Sequence, residues 1–197
     1  MRRIIVGFFT IMVITAFGLI SNTGKAANFE IGATLENFSL PDTVDQVRSL
    51  NNLKGKNGTA IIFLSAQCPV VKGYNERISQ IAADYAAKGI NFVGINSNAT
   101  ESLEWVRSHA AEHYKFPVLI DKGNVIADKL GASVTPEVFY IDAKNKLVYH
   151  GAIDNSRSGD NITSKYLQAA FDNSLAGKTI QQSRINAFGC SIKRAGE

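Results

Sequence analysis

The stretch FLSAQCPVVKGYNERI, residues 63–78, joins the end of an apolar run to the start of a helical pattern. The run, TAIIFLS at 59–65, is continuously apolar and rich in β-formers, which predicts a strand covered on both faces. Cys68 and Pro69 follow at once. A helical face comes next, with apolar residues at i, i+3, i+4 and i+7: Ile78, Ile81, Ala82 and Tyr85. The pattern therefore places Cys68 between a strand end and a helix start.

Strands and helices alternate along the rest of the chain. Apolar β-rich runs predict strands at 90–96, 116–121, 137–142 and 146–151, the last two as an antiparallel hairpin. Helical patterns predict helices near 103–110, 124–130 and 167–175. Residues 37–58 are predicted to form a short hairpin or an extended lead-in. The order β-α-β-α-β-α-β-β-α predicts an α/β fold with a central mixed sheet and helices on both faces.

Local features refine this prediction. Asn98 with Glu101 has the pattern of a capping box before the second helix of the sheet region. His150 stands at a strand end with no partner evident from the sequence. Four aromatic side chains are predicted to be core residues: Phe63, Phe92, Trp105 and Tyr140.

The N-terminus has the pattern of a secretory signal peptide. Arg2 and Arg3 precede an apolar stretch at 4–20, and Gly24-Lys25-Ala26 places small side chains at the −3 and −1 positions of a cleavage site. The alternative is an uncleaved membrane anchor, although the stretch is just short of the roughly 20 apolar residues of a membrane span. We predict removal of residues 1–26 and a periplasmic or extracellular location.

Cleavage would change the charge balance. Removing Arg2, Arg3 and Lys25 leaves 18 of the 21 basic residues against 17 acidic ones, so the formal net charge falls from +4 to +1. Because the sequence has no basic stripe and no aromatic-interleaved basic patch, we predict no nucleic-acid partner. Both cysteines lie in the part predicted to be exported, where disulfides can persist.

Cys68 has the local setting of a reactive thiol. Unpaired N–H groups at a helix start stabilise a thiolate, which is the nucleophilic form. Pro69 suits the first helical turn, where no N–H is needed. The alternative is a buried and inert cysteine. The strand–Cys-Pro–helix context favours reactivity.

A second signal is SVTPEVFYID, in which Thr135 and Pro136 precede a β-rich strand and predict a turn, with a cis bond as one form. With this stretch, the segments FLSAQCPVVKGY, GINSN, FPVLID, LVYHGAID and FGCSIKR resemble a bacterial redoxin family. That family is thioredoxin-like and related to the alkyl hydroperoxide reductase/thiol-specific antioxidant group. The resemblance covers roughly residues 30–195 and implies a thioredoxin-like domain at 27–176 and a C-terminal tail at 177–197.

The resemblance implies a role for each site residue. Cys68 corresponds to the attacking cysteine and Pro136 to the cis-proline that faces it. Thr135 offers backbone groups to an extended substrate strand. Cys190 matches the cysteine of the terminal motif, and three interpretations remain open: a resolving thiol that forms a disulfide with oxidised Cys68, a permanent staple, or a surface thiol that pairs with another protein.

The sequence departs from related families at defined positions. Val71 stands where ordinary thioredoxins carry the second cysteine of Cys-x-x-Cys. Ser65 and Cys68 fit the peroxiredoxin pattern, but Ile61 replaces its proline. Peroxiredoxins carry an activating arginine at the position of Pro136. Two other arginines are candidates for that role if they fold near Cys68: Arg77 and Arg107.

The leading hypothesis is an exported thiol–disulfide oxidoreductase. Cys68 would attack a protein or small-molecule disulfide, and Cys190 or an external thiol would release the product. One alternative is a peroxiredoxin-like peroxidase acting on peroxide. Another is a non-catalytic binding module with a structural disulfide. We predict no cofactor, no metal, an external thiol reductant, and membrane contact only through an uncleaved signal segment.

Overall fold

The computed structural model describes residues 29–196. Within that range the strands are β1 Ser39–Pro41, β2 Val47–Ser49, β3 Gly58–Leu64, β4 Ile90–Asn96, β5 Val118–Ile120, β6 Val134–Thr135, β7 Glu137–Ile141, β8 Leu147–Gly151, β9 Arg184–Ile185 and β10 Cys190–Ser191. The helices are α1 Leu50–Leu53, α2 Pro69–Ala86, α3 Leu103–His113, α4 Val125–Leu130 and α5 Tyr166–Leu175. The predicted alternation of strands and helices is confirmed.

A mixed sheet forms the centre of the described chain, in the order β5-β4-β3-β7-β8-β9. β3, β4 and β5 run parallel, joined by the crossover helices that parallel strands require. β7 is antiparallel to β3 and to β8, so the predicted hairpin is confirmed. The tail adds the edge strand β9, parallel to β8.

Alternate residues of β3 point to opposite faces of the sheet. Ile62 and Leu64 join one core with α2, α3 and α5, whereas Ile61 and Phe63 join a second core with α1 and α4. Because both faces are covered, β3 is apolar at successive positions instead of alternating with polar residues. Helices on both faces of a mixed sheet are the predicted α/β arrangement.

The N-terminal extension is a small hairpin beside the sheet. β1 and β2 pair antiparallel, with Ser39 opposite Ser49. An isolated bridge between Asp42 and Leu119 connects the hairpin to β5. Of the two forms predicted for 37–58, the hairpin is the one observed.

The predicted aromatic core is correct for three of its four members. The prediction that Trp105 is a core residue is wrong, because the residue lies on the surface and is 52% exposed. α3 turns Val106 and Ala110 toward the core, and the residue before Val106 lies about 100° away around the helix. The buried aromatic residues are Phe63, Phe92 and Tyr140.

The predicted signal peptide, 1–26, lies outside the described residues. Across 29–196, none of the helices is both long and apolar enough to cross a membrane. The division into a domain at 27–176 and a tail at 177–197 stays a prediction. In the structure the tail supplies β9 to the central sheet and β10 to a separate two-stranded sheet with β6.

Candidate active site

Cys68 lies at the junction of β3 and α2, as the sequence predicted. It immediately precedes α2, and Pro69 is the first residue of that 18-residue helix. The backbone N–H of Cys68 donates a 3.1 Å hydrogen bond to the hydroxyl of Ser65. Cys68 is only 2% exposed. Its sulfur therefore stands at the helix end where free N–H groups stabilise a thiolate once the sulfur is reduced.

Cys68 is joined to Cys190 by a disulfide, with the two Cα atoms 5.9 Å apart, inside the usual range for such a bridge. Cys190 belongs to β10, which pairs antiparallel with β6 and sets Cys190 opposite Thr135. The Thr135–Pro136 bond is cis. The carbonyl oxygen of Thr135 lies 3.3 Å from Sγ of Cys68. The four residues predicted for the site thus lie together. Because Cys190 is bonded to Cys68, two of the three interpretations of Cys190 remain: a resolving thiol and a permanent staple.

Gly189 lets β10 approach β6 closely. A Cβ at this position would lie 1.9 Å from the carbonyl oxygen of Thr135, a separation that no real contact allows. The clash would be with backbone, which cannot move aside as the end of a flexible side chain can. Glycine at 189 is therefore a condition for the pairing that carries Cys190 to Cys68.

We expect Gly189→Ala to weaken the Cys68–Cys190 disulfide. Because β10 must move away from Thr135, the reduction potential of the pair should rise by at least about 30 mV, a tenfold change in the exchange equilibrium. Titration in glutathione buffers, with alkylation of free thiols and mass spectrometry, measures this shift. Ser191→Ala, at an exposed position two residues further along the tail, is the control. An unchanged potential in Gly189→Ala would contradict the close-approach argument.

Glu101 was assigned wrongly from the sequence. The predicted Asn98–Glu101 capping box is not formed, because α3 begins two residues after Glu101. Ser102 caps the helix instead, and its hydroxyl accepts a hydrogen bond from the N–H of Trp105. The carboxylate of Glu101 is therefore free to bind a different part of the chain.

That carboxylate holds the loop that leads into Cys68. Oε1 accepts hydrogen bonds from the hydroxyl of Ser65, at 2.5 Å, and from the N–H of Gln67, at 2.8 Å. Oε2 accepts from the N–H of Ala66, at 3.1 Å, and from the side-chain amide of Asn96, at 2.6 Å. Since Ser65 in turn accepts from Cys68, Glu101 positions the loop around the sulfur through a continuous hydrogen-bond chain.

We expect Glu101→Gln to lower the free energy of unfolding by roughly 2–3 kcal/mol. Whichever way its amide is turned, the NH₂ group would face a backbone N–H that now donates to the carboxylate, that of Gln67 or that of Ala66. Urea unfolding of the oxidised protein measures the loss. Glu104→Gln is the matched control, since Glu104 is exposed in the first turn of α3 and should change stability by less than about 0.5 kcal/mol. Equal stabilities for the two variants would contradict the role given to Glu101.

Glu137 supports β6 from the other side of Pro136. Its Oε2 accepts hydrogen bonds from the N–H groups of Ser133, at 2.8 Å, and Val134, at 3.2 Å. Its Oε1 lies 2.6 Å from Nε2 of His150. The sequence showed no partner for His150, and the register of the β7–β8 hairpin supplies one. This partly buried pair fixes the segment that ends at Thr135.

Neither arginine considered as a peroxidatic substitute is directed at Cys68. Arg77 is bonded to the buried carboxylate of Asp154 at 2.7 Å, and Arg107 is paired with Asp45. Burial and the hydrogen bond to Asp154 raise the pKa of Tyr74 above its ordinary value. Tyr74, Arg77 and Asp154 form a polar network of their own, and the Arg107–Asp45 pair is separate from it.

Comparison with known proteins places most of this chain in a known family. The AhpC/TSA family model matches residues 31–150. A relative named thiol-disulfide oxidoreductase ResA, from Bacillus thuringiensis subsp. konkukian, is 27% identical over 125 residues, which cover 63% of this chain and 70% of the relative.

Solved structures agree with the fold. A hypothetical protein from Sinorhizobium meliloti 1021 is 34% identical, with a TM-score of 0.78 over 85% of this chain and 96% of that one. A putative thioredoxin from Neisseria meningitidis, at 21% identity, has a TM-score of 0.60 over 78% of this chain and 96% of its own, and shows the fold alone. The thioredoxin-like fold is confirmed, and the chain belongs to the AhpC/TSA family.

Proposed function

We propose that this protein is an exported thiol–disulfide oxidoreductase in which Cys68 is the nucleophile and Cys190 the resolving thiol. The observation that carries the proposal is the disulfide between a cysteine at the start of α2 and a cysteine on a strand paired with β6. The name of the ResA relatives supports the same chemistry. The signal-peptide pattern at 1–26 supports export.

The reaction follows from the positions of the two sulfurs. In the reduced protein the Cys68 thiolate attacks one sulfur of a substrate disulfide, and the second substrate sulfur leaves as a thiolate. Cys190 then attacks the sulfur of Cys68, which forms the Cys68–Cys190 disulfide and releases the substrate's first sulfur as a thiolate. The substrate gains two electrons, and the Cys68–Cys190 pair loses them.

An external thiol completes the cycle by reducing the Cys68–Cys190 disulfide. Cys68 is buried, whereas Cys190 is partly exposed. An incoming thiolate therefore reaches the sulfur of Cys190 more readily, and Cys68 leaves as the thiolate that the start of α2 stabilises. Thr135 and Pro136 line the position in which the substrate strand is bound during the forward reaction.

A direct comparison of two substrates tests this function. Purified protein is supplied with a small dithiol and with either insulin or hydrogen peroxide. We expect accelerated reduction of insulin disulfides and peroxide consumption near the protein-free background. The reverse pattern would establish a thiol peroxidase instead. Background rates with both substrates would support a binding module with a structural disulfide.

A further inference from the structure

The tail lies on β6 in the way that an added strand lies on a sheet edge. Cys190 is opposite Thr135 and Ser191 is opposite Val134. The N–H of Ile192 donates to the carbonyl of Ser133 at 2.9 Å. Binding an extended peptide by such backbone pairing gives affinity, and the places left for alternate side chains give specificity.

The tail is held from a second side as well. The carbonyl of Lys193 accepts from the N–H of Ala99 at 2.9 Å, and the N–H of Lys193 donates to the side-chain oxygen of Asn98 at 3.1 Å. The chain from 190 to 193 therefore runs between β6 and the 98–99 loop. Backbone groups on both sides bind it, so most of these contacts do not depend on its side chains.

We propose that the tail segment, Gly-Cys-Ser-Ile at 189–192, occupies the groove for an extended peptide substrate and resembles the substrate sequence that the groove prefers. The preferred substrate has a small residue immediately before its reacting cysteine and an aliphatic residue two positions after it. This inference rests on the proposed function and deepens it. It adds that substrate and tail compete for the same edge of β6.

Two side-chain positions define the preference. The groove itself imposes the first, since a Cβ at 189 would meet the carbonyl oxygen of Thr135 at 1.9 Å. The second is Ile192, which is 2% exposed and belongs to the apolar core that includes Leu130 and Ala132. Ser191 lies between them and is exposed, so we expect no preference for a particular substrate residue at that position.

Competition follows from the burial of Cys68. With the tail in place Cys68 is 2% exposed, so a protein disulfide reaches it only after the tail has left β6. When the tail returns, Cys190 attacks the sulfur of Cys68 and β10 takes back the edge that the substrate occupied. Resolution and release of the substrate are then one event.

Peptide disulfides test the preference in the full chain carrying Cys190→Ser, which has Cys68 as its one thiol. The probes are AFGCSIK, AFVCSIK and AFGCSDK, each joined through its cysteine to thionitrobenzoate. The Cys68 thiolate attacks the peptide sulfur, forming a Cys68–peptide disulfide and releasing the coloured thionitrobenzoate anion. We expect AFGCSIK to react at least about ten times faster than either substituted peptide, a difference of about 1.4 kcal/mol.

The outcomes distinguish a failure of the proposed sequence preference from a failure of the proposed function. Equal rates for the three peptides would overturn the proposed selection while leaving Cys68 as a nucleophile. No reaction with any peptide, in a folded protein, would overturn the proposed function itself.

A second variant tests the competition. Adding Ile192→Asp to Cys190→Ser should loosen the tail and speed the reaction of AFGCSIK several-fold, with circular dichroism confirming that the fold is kept. An unchanged rate would show that the tail does not occupy the substrate groove. Ser191→Ala in the same background is the matched control, since that side chain is exposed.

Discussion

Replacing Cys68 by serine should reduce the rate of insulin-disulfide reduction to the protein-free background. A serine hydroxyl is not ionised at neutral pH and does not attack a disulfide, so the first step is lost. The start of α2 has no second cysteine to replace it, because Val71 stands at the position used in Cys-x-x-Cys. The insulin assay measures the rate, and mass spectrometry detects any mixed disulfide.

Cys190→Ser is the matched variant for this experiment. It keeps the nucleophile and removes the resolving thiol, so it should accumulate a mixed disulfide through Cys68 and turn over only when an external thiol is abundant. Both variants lack the disulfide and therefore lose the same chain constraint. Activity retained in Cys68→Ser but lost in Cys190→Ser would reverse the assigned roles.

Glu137→Ala should destabilise the protein by at least about 2 kcal/mol, because each buried donor left without its acceptor costs roughly 1–3 kcal/mol. Glu137 is 5% exposed, and its loss would leave the N–H groups of Ser133 and Val134 without their acceptor. His150 would lose the one hydrogen-bond partner that the described residues give its side chain. Urea unfolding of the oxidised protein measures the change.

The same variant should also affect the disulfide. β6 carries Thr135, against which Cys190 is paired, so a loosened β6 favours reduction of Cys68–Cys190. Glu76→Ala, at an exposed position on α2, is the control and should leave stability and redox equilibrium nearly unchanged. A loss below about 1 kcal/mol in Glu137→Ala would show that water replaces the carboxylate without cost.

Much of the fold was visible in the sequence because its signals are local. β3, α2, β4 and the β7–β8 hairpin each have an apolar pattern long enough to identify the element. The tail strands β9 and β10 have two residues each, and they exist only through pairing with β8 and β6. No pattern inside the tail predicts such pairing.

The sequence predicted where the two cysteines of the candidate site lie, but it did not identify the residues that hold the surrounding loops. Cys68 was evident from the strand–Cys-Pro–helix pattern, and Cys190, Thr135 and Pro136 from the family resemblance. Glu101 instead looked like a helix cap, because the sequence cannot show that its carboxylate reaches the Ser65 loop. The partner of His150 depends on the register of a hairpin, and a register is not fixed by the hairpin's existence.

The central claim is that Cys68 and Cys190 form a reversible redox pair in the folded protein. Equilibration in graded glutathione or dithiothreitol buffers, followed by alkylation and mass spectrometry, measures the disulfide fraction, while circular dichroism follows the fold. We predict full interconversion of disulfide and dithiol with the fold retained. A disulfide that is reduced only when the protein unfolds would contradict the claim and identify a permanent structural staple.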